Sequence, residues 1–436
     1  MVRILFVLLL LISVIPSLSA ATAPKKKAPA KPTASRSTAR KAPAKSTVAK
    51  AKAKAKTPAK PVARGRGTAT SRGATATRRT TTTRRVAASS TRRTPTKRAR
   101  TSRSRRASAS VWKVSSFADA TQGDKVDGED LTVRRAVVEA LNGLNGSVVV
   151  VDPNTGRILS MVNQQLAMQS GFIPCSTIKV IVGMAALSEG LIDRTTPMRL
   201  SRRLTLDLTE ALARSDNQFF ANLGVKMGFE KVSYYARLFG LGERATLGLE
   251  GEQPGRLPTE SPKFGGVGMM CSFGEGITLT PLQLAAVMSS IANGGTLYYL
   301  QYPESQEQAA NLVPRVKRQL DIAQYIPDIK PGMMGAVEYG TARRAAYDPN
   351  EPILGKTGTC TDRNSPTHMG WFGSFNDVEK NKLVVVVMLT GGKHVNGPVA
   401  SGVAGEIYRR LSGQQYFAHQ REISPTQLIQ SSCCLQ

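Results

Sequence analysis

Apolar positions along the 436-residue chain fall into three regimes. Residues 4–15 form an apolar run broken only by Ser13, residues 24–110 carry almost no large apolar side chain, and from about Val111 apolar residues recur with the periods of helices and strands. In this last regime the pattern over 132–144 predicts an amphipathic helix. The run Gly146-Ser147-Val148-Val149-Val150-Val151-Asp152 predicts a buried strand, closed by the turn Pro153-Asn154-Thr155-Gly156 and followed by a second strand over 157–162. A hairpin therefore opens a sheet. Next comes a helix starting at Ser176, almost all apolar over 180–187, and then helices over 209–214 and 218–227 separated by Ser215-Asp216-Asn217. Strands are predicted over 353–359, 370–375 and 382–389, with an amphipathic C-terminal helix over 399–411. The resulting class is α/β in the α+β sense: an antiparallel sheet flanked by helices, plus a helical subdomain.

Charge divides the chain in the same place. Of its 60 lysines and arginines, 28 lie between residues 24 and 106, where there is no acidic residue, which leaves 32 against 30 carboxylates elsewhere. The net charge of +30 thus belongs to the tail, and the folded part is nearly neutral. A stretch of Ala, Lys, Pro, Thr, Ser and Arg cannot bury enough surface to offset chain entropy, so residues 24–110 are expected to be a disordered basic tail. Residues 1–23 combine Arg3, the short apolar run and the small residues Ser19-Ala20-Ala21-Thr22-Ala23, the pattern of a secretory signal peptide. The run is shorter than the roughly 20 residues a membrane span needs, and an uncleaved membrane anchor is the alternative. Either way the remainder is expected outside the cytoplasm, in the periplasm or cell envelope. The tail resembles the basic termini of linker histones, but export argues against nucleic acid and for anionic wall polymers or lipid headgroups as its partners. The expected organisation is signal 1–23, basic tail 24–110, folded domain 111–412 and C-terminal tail 413–436.

Candidate chemistry centres on Pro174-Cys175-Ser176-Thr177-Ile178-Lys179. Residues three apart share a helix face, so the Ser176 hydroxyl lies beside the Lys179 amine. A deprotonated amine there can take the hydroxyl proton as the serine attacks, and burial favours the neutral lysine. Ser215-Asp216-Asn217 stands at a break between helices, where polar side chains either point into a cleft or only cap a helix. Lys356-Thr357-Gly358-Thr359 lies in a strand whose glycines allow a ligand close to the backbone. His368, His394 and His419 are scattered without ligand spacing, so neither a metal nor a cofactor is expected.

The three motifs begin 39 and 180 residues apart from the first, at Ser215 and Lys356, in the order found in penicillin-binding proteins and class A β-lactamases. Flanking segments sharpen the match. Gly251-Glu252-Gln253-Pro254-Gly255-Arg256-Leu257-Pro258, Gly276-Ile277-Thr278-Leu279-Thr280-Pro281-Leu282-Gln283-Leu284, Ile291-Ala292-Asn293-Gly294-Gly295 and the strand around Trp371 resemble the transpeptidase domain of class B penicillin-binding proteins. The resemblance covers about residues 130 to 412, and no space is seen for the N-terminal pedestal domain such enzymes usually carry.

It implies a β-lactamase/transpeptidase-like fold and a penicillin-binding serine D,D-transpeptidase that cross-links peptidoglycan stem peptides through an acyl-enzyme on Ser176. Lys179 would be the base, and Lys356 would bind the substrate carboxylate as a point charge, helped by Thr357 or Thr359 beside Gly358. Ser215 would relay the proton to the leaving amine and Asn217 would hold the peptide amide. The backbone N–H groups of Ser176 and Thr359 would form the oxyanion hole. β-Lactams are the implied inhibitors, and a glycan polymerase the implied partner. Cys175 departs from the family, where glycine usually precedes the nucleophile. With Cys271 and Cys360 it maps near one cleft, and a disulfide is open but its pairing is not legible; Cys433 and Cys434 sit in the polar C-terminal tail. The alternatives are a serine β-lactamase or D,D-carboxypeptidase, and, outside enzymes, a β-lactam sensor or wall-binding protein. No water-activating group for a β-lactamase is assignable.

Overall fold

The computed structural model describes residues 113–417 apart from 170, 363–365 and 380. The expected signal peptide and the whole of the basic tail, together with His419, Cys433 and Cys434, lie outside the described residues. In chain order the principal elements are α1 (Leu131–Leu141), β1 (Gly146–Val151), β2 (Ile158–Val162), α2 (Lys179–Ser188), α3 (Leu208–Arg214), α4 (Asn217–Met227) and α5 (Phe229–Leu238). They continue with α6 (Gly266–Phe273), α7 (Pro281–Ala292), α8 (Ile326–Glu338), β3 (Ile353–Asp362), β4 (Thr367–Asn376), β5 (Val384–Gly391) and α9 (Gly397–Gly413). The five strands form one antiparallel sheet in the order β2-β1-β5-β4-β3. Thus the opening hairpin pairs with the last strand, and β3 is an edge.

Alternation along the strands explains how this sheet is buried on both faces. Val149, Val151, Leu354, Trp371, Val386 and Met388 pack on one side with Met184 of α2 and Leu284 and Met288 of α7. Val148, Val150, Phe372, Val385, Val387 and Leu389 pack on the other with Val133 and Val137 of α1 and Ala404 and Ile407 of α9. Each such side chain contributes on the order of 1.5–3 kcal/mol by leaving water. The first and last helices of the domain therefore share one face, and the helical middle of the chain occupies the other.

Element types follow the apolar pattern, and the differences are at boundaries. Helix α1 stops at Leu141 because Asn142 turns left-handed (φ 47°) and its N–H bonds back to Val138. At its start the Asp130 carboxylate accepts from the backbone of Thr132 and Val133. Strand β3 runs three residues past the predicted end, since its pairing with β4 continues from Thr359 with Gly370 to Asp362 with Thr367. The helix expected to begin at Ser176 begins instead with a 3-10 turn, Cys175–Ile178, and becomes α-helical at Lys179. In a 3-10 turn residues three apart eclipse one another, while the Lys179 amine makes its hydrogen bonds to Ser215 and Asn217. Among the described residues no helix is long and apolar enough to cross a membrane.

Candidate active site

Every residue of α2 from Lys179 to Leu187 is buried, which fixes Lys179 at the end of a rod embedded in the core. Ser176, one turn earlier, remains half-buried at the surface of a cleft. Opposite it, the break between α3 and α4 shows how three polar residues divide their work. Ser215 ends α3 in the left-handed conformation (φ 59°), and Asp216 caps α4, accepting from the Phe219 N–H at 2.8 Å. The two readings of this tripeptide thus both hold, residue by residue: Asp216 caps, while Ser215 and Asn217 turn to Lys179.

The Lys179 ammonium nitrogen donates to the Ser215 carbonyl at 2.8 Å, the Ser215 hydroxyl at 3.2 Å and Asn217 Oδ1 at 2.6 Å. It also lies 5.6 Å from the centre of the Phe220 ring. Burial outweighs the opposing pull of Asp216 and brings Lys179 down from the ordinary lysine value to about 7. Lys356 reaches the same serine from β3: its Nζ donates to Ser215 Oγ at 2.8 Å and to the Thr357 carbonyl at 3.0 Å. Lys356 is fully buried, and burial, reinforced by the neighbouring Lys179, pushes its amine well below the usual range. One hydroxyl therefore sits between two lysines, and the three motifs meet at Ser215. No described side chain is hydrogen-bonded to the Ser176 hydroxyl.

Strand β3 forms the facing wall. A β-carbon on Gly358 would lie 3.0 Å from the Pro174 carbonyl and 3.2 Å from Cys175 Cβ, so only glycine lets the strand pass this close to the nucleophile's turn. Thr359 is exposed to the cleft, and its Oγ accepts from the Gly397 N–H at 2.8 Å, which leaves the hydroxyl proton to point outward. Thr357 is buried, with its Oγ 2.7 Å from that of Thr341. Beyond Thr359 the wall continues into a cavity of about 380 Å³ lined by Ile173, Met269, Phe273, Glu275, Cys360 and Asp362 among others.

Two ties across the cleft were not legible in sequence. Cys175 and Cys360 form a disulfide, with Cα atoms 5.7 Å apart and a sequence separation of 185, while Cys271 is a buried free thiol in α6. Trp371 Nε1 donates to the Ile173 carbonyl at 3.1 Å. Thr341, in the loop after α8, was missed as well, because a single threonine in a Gly-Thr-Ala turn carries no periodicity and no charge. His368 bonds through Nδ1 to the Val395 carbonyl, and His394 stacks on Phe117 with ring centres 5.7 Å apart. Among the described residues no group of three or more His, Cys, Asp and Glu is placed to hold a metal ion.

Comparison with known proteins bears on the family and the fold. The family model described as the penicillin binding protein transpeptidase domain matches residues 146–412. Stage V sporulation protein D of Bacillus subtilis (strain 168) is 29% identical over 283 residues, covering 57% of this chain and 43% of that protein. Peptidoglycan D,D-transpeptidase FtsI of Escherichia coli (strain K12) is 34% identical over 182 residues, covering 35% of this chain and 31% of the relative. The chain thus spans less than half the length of either of these curated relatives. Among solved structures, the apo transpeptidase domain of Burkholderia pseudomallei penicillin-binding protein 3 superposes with a TM-score of 0.56 at 21% identity, over 65% of this chain and 94% of that one, a likeness of fold. Since the matched span takes in more than half of the chain, from the first strand of the sheet to the last helix, the chain belongs to the penicillin-binding protein transpeptidase family.

Proposed function

We propose that this protein is a serine D,D-transpeptidase acting on peptidoglycan stem peptides. The observation that carries the reading is the Lys179 amine, brought down to about 7 by burial and held by Ser215 and Asn217 one turn from a half-buried serine. At neutral pH much of that amine is free to accept the Ser176 proton. The serine oxygen then attacks the carbonyl carbon of the penultimate D-alanine, and the negative charge that forms on the carbonyl oxygen is met by the backbone N–H groups of Ser176 and Thr359. Ser215, bridged to both lysines, passes the proton to the departing D-alanine amine. Asn217 Oδ1 is occupied by Lys179, so its amide N–H₂ is the part available to the substrate's peptide carbonyl.

Lys356 takes a different share than sequence alone assigns to it. Being wholly buried, it acts on the substrate through its hydrogen bond to Ser215, while the exposed Thr359 hydroxyl makes the direct contact with the carboxylate. An amine of a second stem peptide resolves the acyl-enzyme as a cross-link. The charge of residues 24–110 tethers the enzyme to a polyanion of the envelope, the signal at 1–23 takes it there, and a separate glycan polymerase supplies the strands. β-Lactams inhibit by acylating Ser176. The test is to incubate the protein with a stem pentapeptide and an excess of a D-amino acid acceptor and weigh the products. Exchange of the terminal residue supports transpeptidation; simple loss of D-alanine makes the protein a carboxypeptidase, and no turnover of peptide with fast turnover of penicillin makes it a β-lactamase.

A further inference from the structure

Both backbone donors assigned to the oxyanion hole are next to a cysteine of the same disulfide. Cys175 immediately precedes Ser176, and Cys360 immediately follows Thr359. The geometry points to a role for this bond beyond holding the fold: we propose that the Cys175–Cys360 disulfide positions the two oxyanion-hole N–H groups relative to each other, so that Ser176 is acylated efficiently only while the bond is oxidised. The proposal rests on the transpeptidase reading above.

Three observations support it. First, β3 is the edge strand of the sheet, so beyond Thr359 it has a partner strand on one side only, and the disulfide is the covalent tie on the side of the nucleophile's turn. Second, Cys175 holds a left-handed backbone conformation, φ 52°, that side chains other than glycine adopt only when their surroundings impose it. The bond to Cys360 is such a constraint, and it acts on the residue that sets the direction of the Ser176 N–H. Third, the remaining ties between these segments act elsewhere: Trp371 Nε1 holds the Ile173 carbonyl, two residues earlier, and Gly397 holds the Thr359 side chain rather than its N–H. A shift of about 1 Å in one donor is enough to cost on the order of 100-fold in rate, so a clamp at these positions has a large effect on the chemistry.

The bond is also reachable. Cys175 is completely buried, but Cys360 lies partly exposed on the wall of the 380 Å³ cavity beside Thr359. A dithiol entering there attacks the Cys360 sulfur. The Cys175 sulfur leaves as a thiolate and takes up a proton; the second thiol of the reductant then attacks the reductant sulfur bound to Cys360, closing the reductant's own disulfide and releasing Cys360 as a thiolate that takes up the second proton. Two electrons and two protons pass to the protein, which is left with two thiols.

The experiment uses the full chain carrying Cys433→Ser and Cys434→Ser, so that the Cys175–Cys360 bond is the disulfide under test. Acylation by a fluorescent penicillin is timed for the oxidised protein, for the protein reduced with dithiothreitol, and for the reduced protein reoxidised. A Cys175→Gly/Cys360→Ala variant serves as the second arm, because glycine accepts the left-handed backbone and preserves folding. Melting temperatures are recorded in parallel, and rates are read well below the lowest of them. The clamp predicts acylation about 10- to 100-fold slower in the reduced and variant proteins, with the loss in the acylation step rather than in the initial binding constant, and recovery on reoxidation. Unchanged acylation in a protein whose mass shows two added hydrogens overturns it. So does loss of cooperative melting on reduction, which makes the bond a support of the fold. An oxidised protein that takes no penicillin overturns the transpeptidase reading, and the clamp with it.

Discussion

At the scale of single residues, the site is organised by a proton that has few places to go. Lys179 and Lys356 both donate to Ser215, and their mutual repulsion together with burial keeps the pair from being doubly charged. The catalytic base must be neutral, so a pKa brought down to about 7 sets the sign of the pH dependence. Acylation by a penicillin should rise about tenfold per pH unit below 7 and level off above it, rather than climbing toward 10 as for an ordinary lysine. Asp216 opposes this lowering. Asp216→Asn keeps an N-cap for α4 and removes the charge, so the rising limb should move to lower pH while the melting temperature changes little. A limb that stays in place, measured by stopped-flow acylation across pH, would show that Lys179 is not the titrating base. Thr341 makes a further test: Thr341→Val removes the hydroxyl partner of Thr357, and should slow acylation several-fold with a loss of about 1 kcal/mol in stability by denaturant titration.

At the scale of elements, the sequence revealed what depends on local pattern and concealed what depends on distance. The apolar runs of β1 and β5, the amphipathic α1 and α9 and the buried α2 are all read from periodicity, because each side chain's fate is set by which face it occupies. Ser176, Lys179, Ser215, Asn217 and Lys356 were legible because they stand in recognisable motifs, and the structure brings Lys179, Ser215, Asn217 and Lys356 into direct contact. The pairing of Cys175 with Cys360 was not legible among three cysteines, since it follows from how β3 packs against a turn 185 residues away. Nor was the full burial of Lys356, which requires knowing that its side of β3 packs on Ser215 and beside Lys179. The start of α9 meets β3 at Thr357 and Gly358, and the fit rests on Gly397, where an added β-carbon would stand 2.8 Å from Thr357 Cβ and 2.9 Å from the Gly358 carbonyl. Gly397→Ala should therefore push α9 from the strand, lowering stability by about 1–3 kcal/mol and slowing acylation in the same variant. Loss of stability with an unchanged acylation rate would mean that α9 supports the sheet without shaping the cleft.

At the scale of the whole molecule, two parts of opposite character share one chain. The folded part is nearly neutral, while residues 24–106 hold 28 basic residues and no carboxylate. Attraction to an anionic surface runs at about 1 kcal/mol per basic residue close to it and is screened by salt. The full chain should therefore sediment with anionic vesicles or wall polymers at low ionic strength and be released near 1 M salt, whereas a chain beginning at residue 113 should stay in solution under both conditions. Equal behaviour of the two would remove the tether from the account. The central claim, that Ser176 is an activated nucleophile, is tested most directly by the intact mass of the full chain with and without benzylpenicillin, followed over hours beside Ser176→Ala. The account predicts one stable penicilloyl adduct on the natural protein and none on the variant. No adduct on the natural protein, or an equal one on Ser176→Ala, would contradict it.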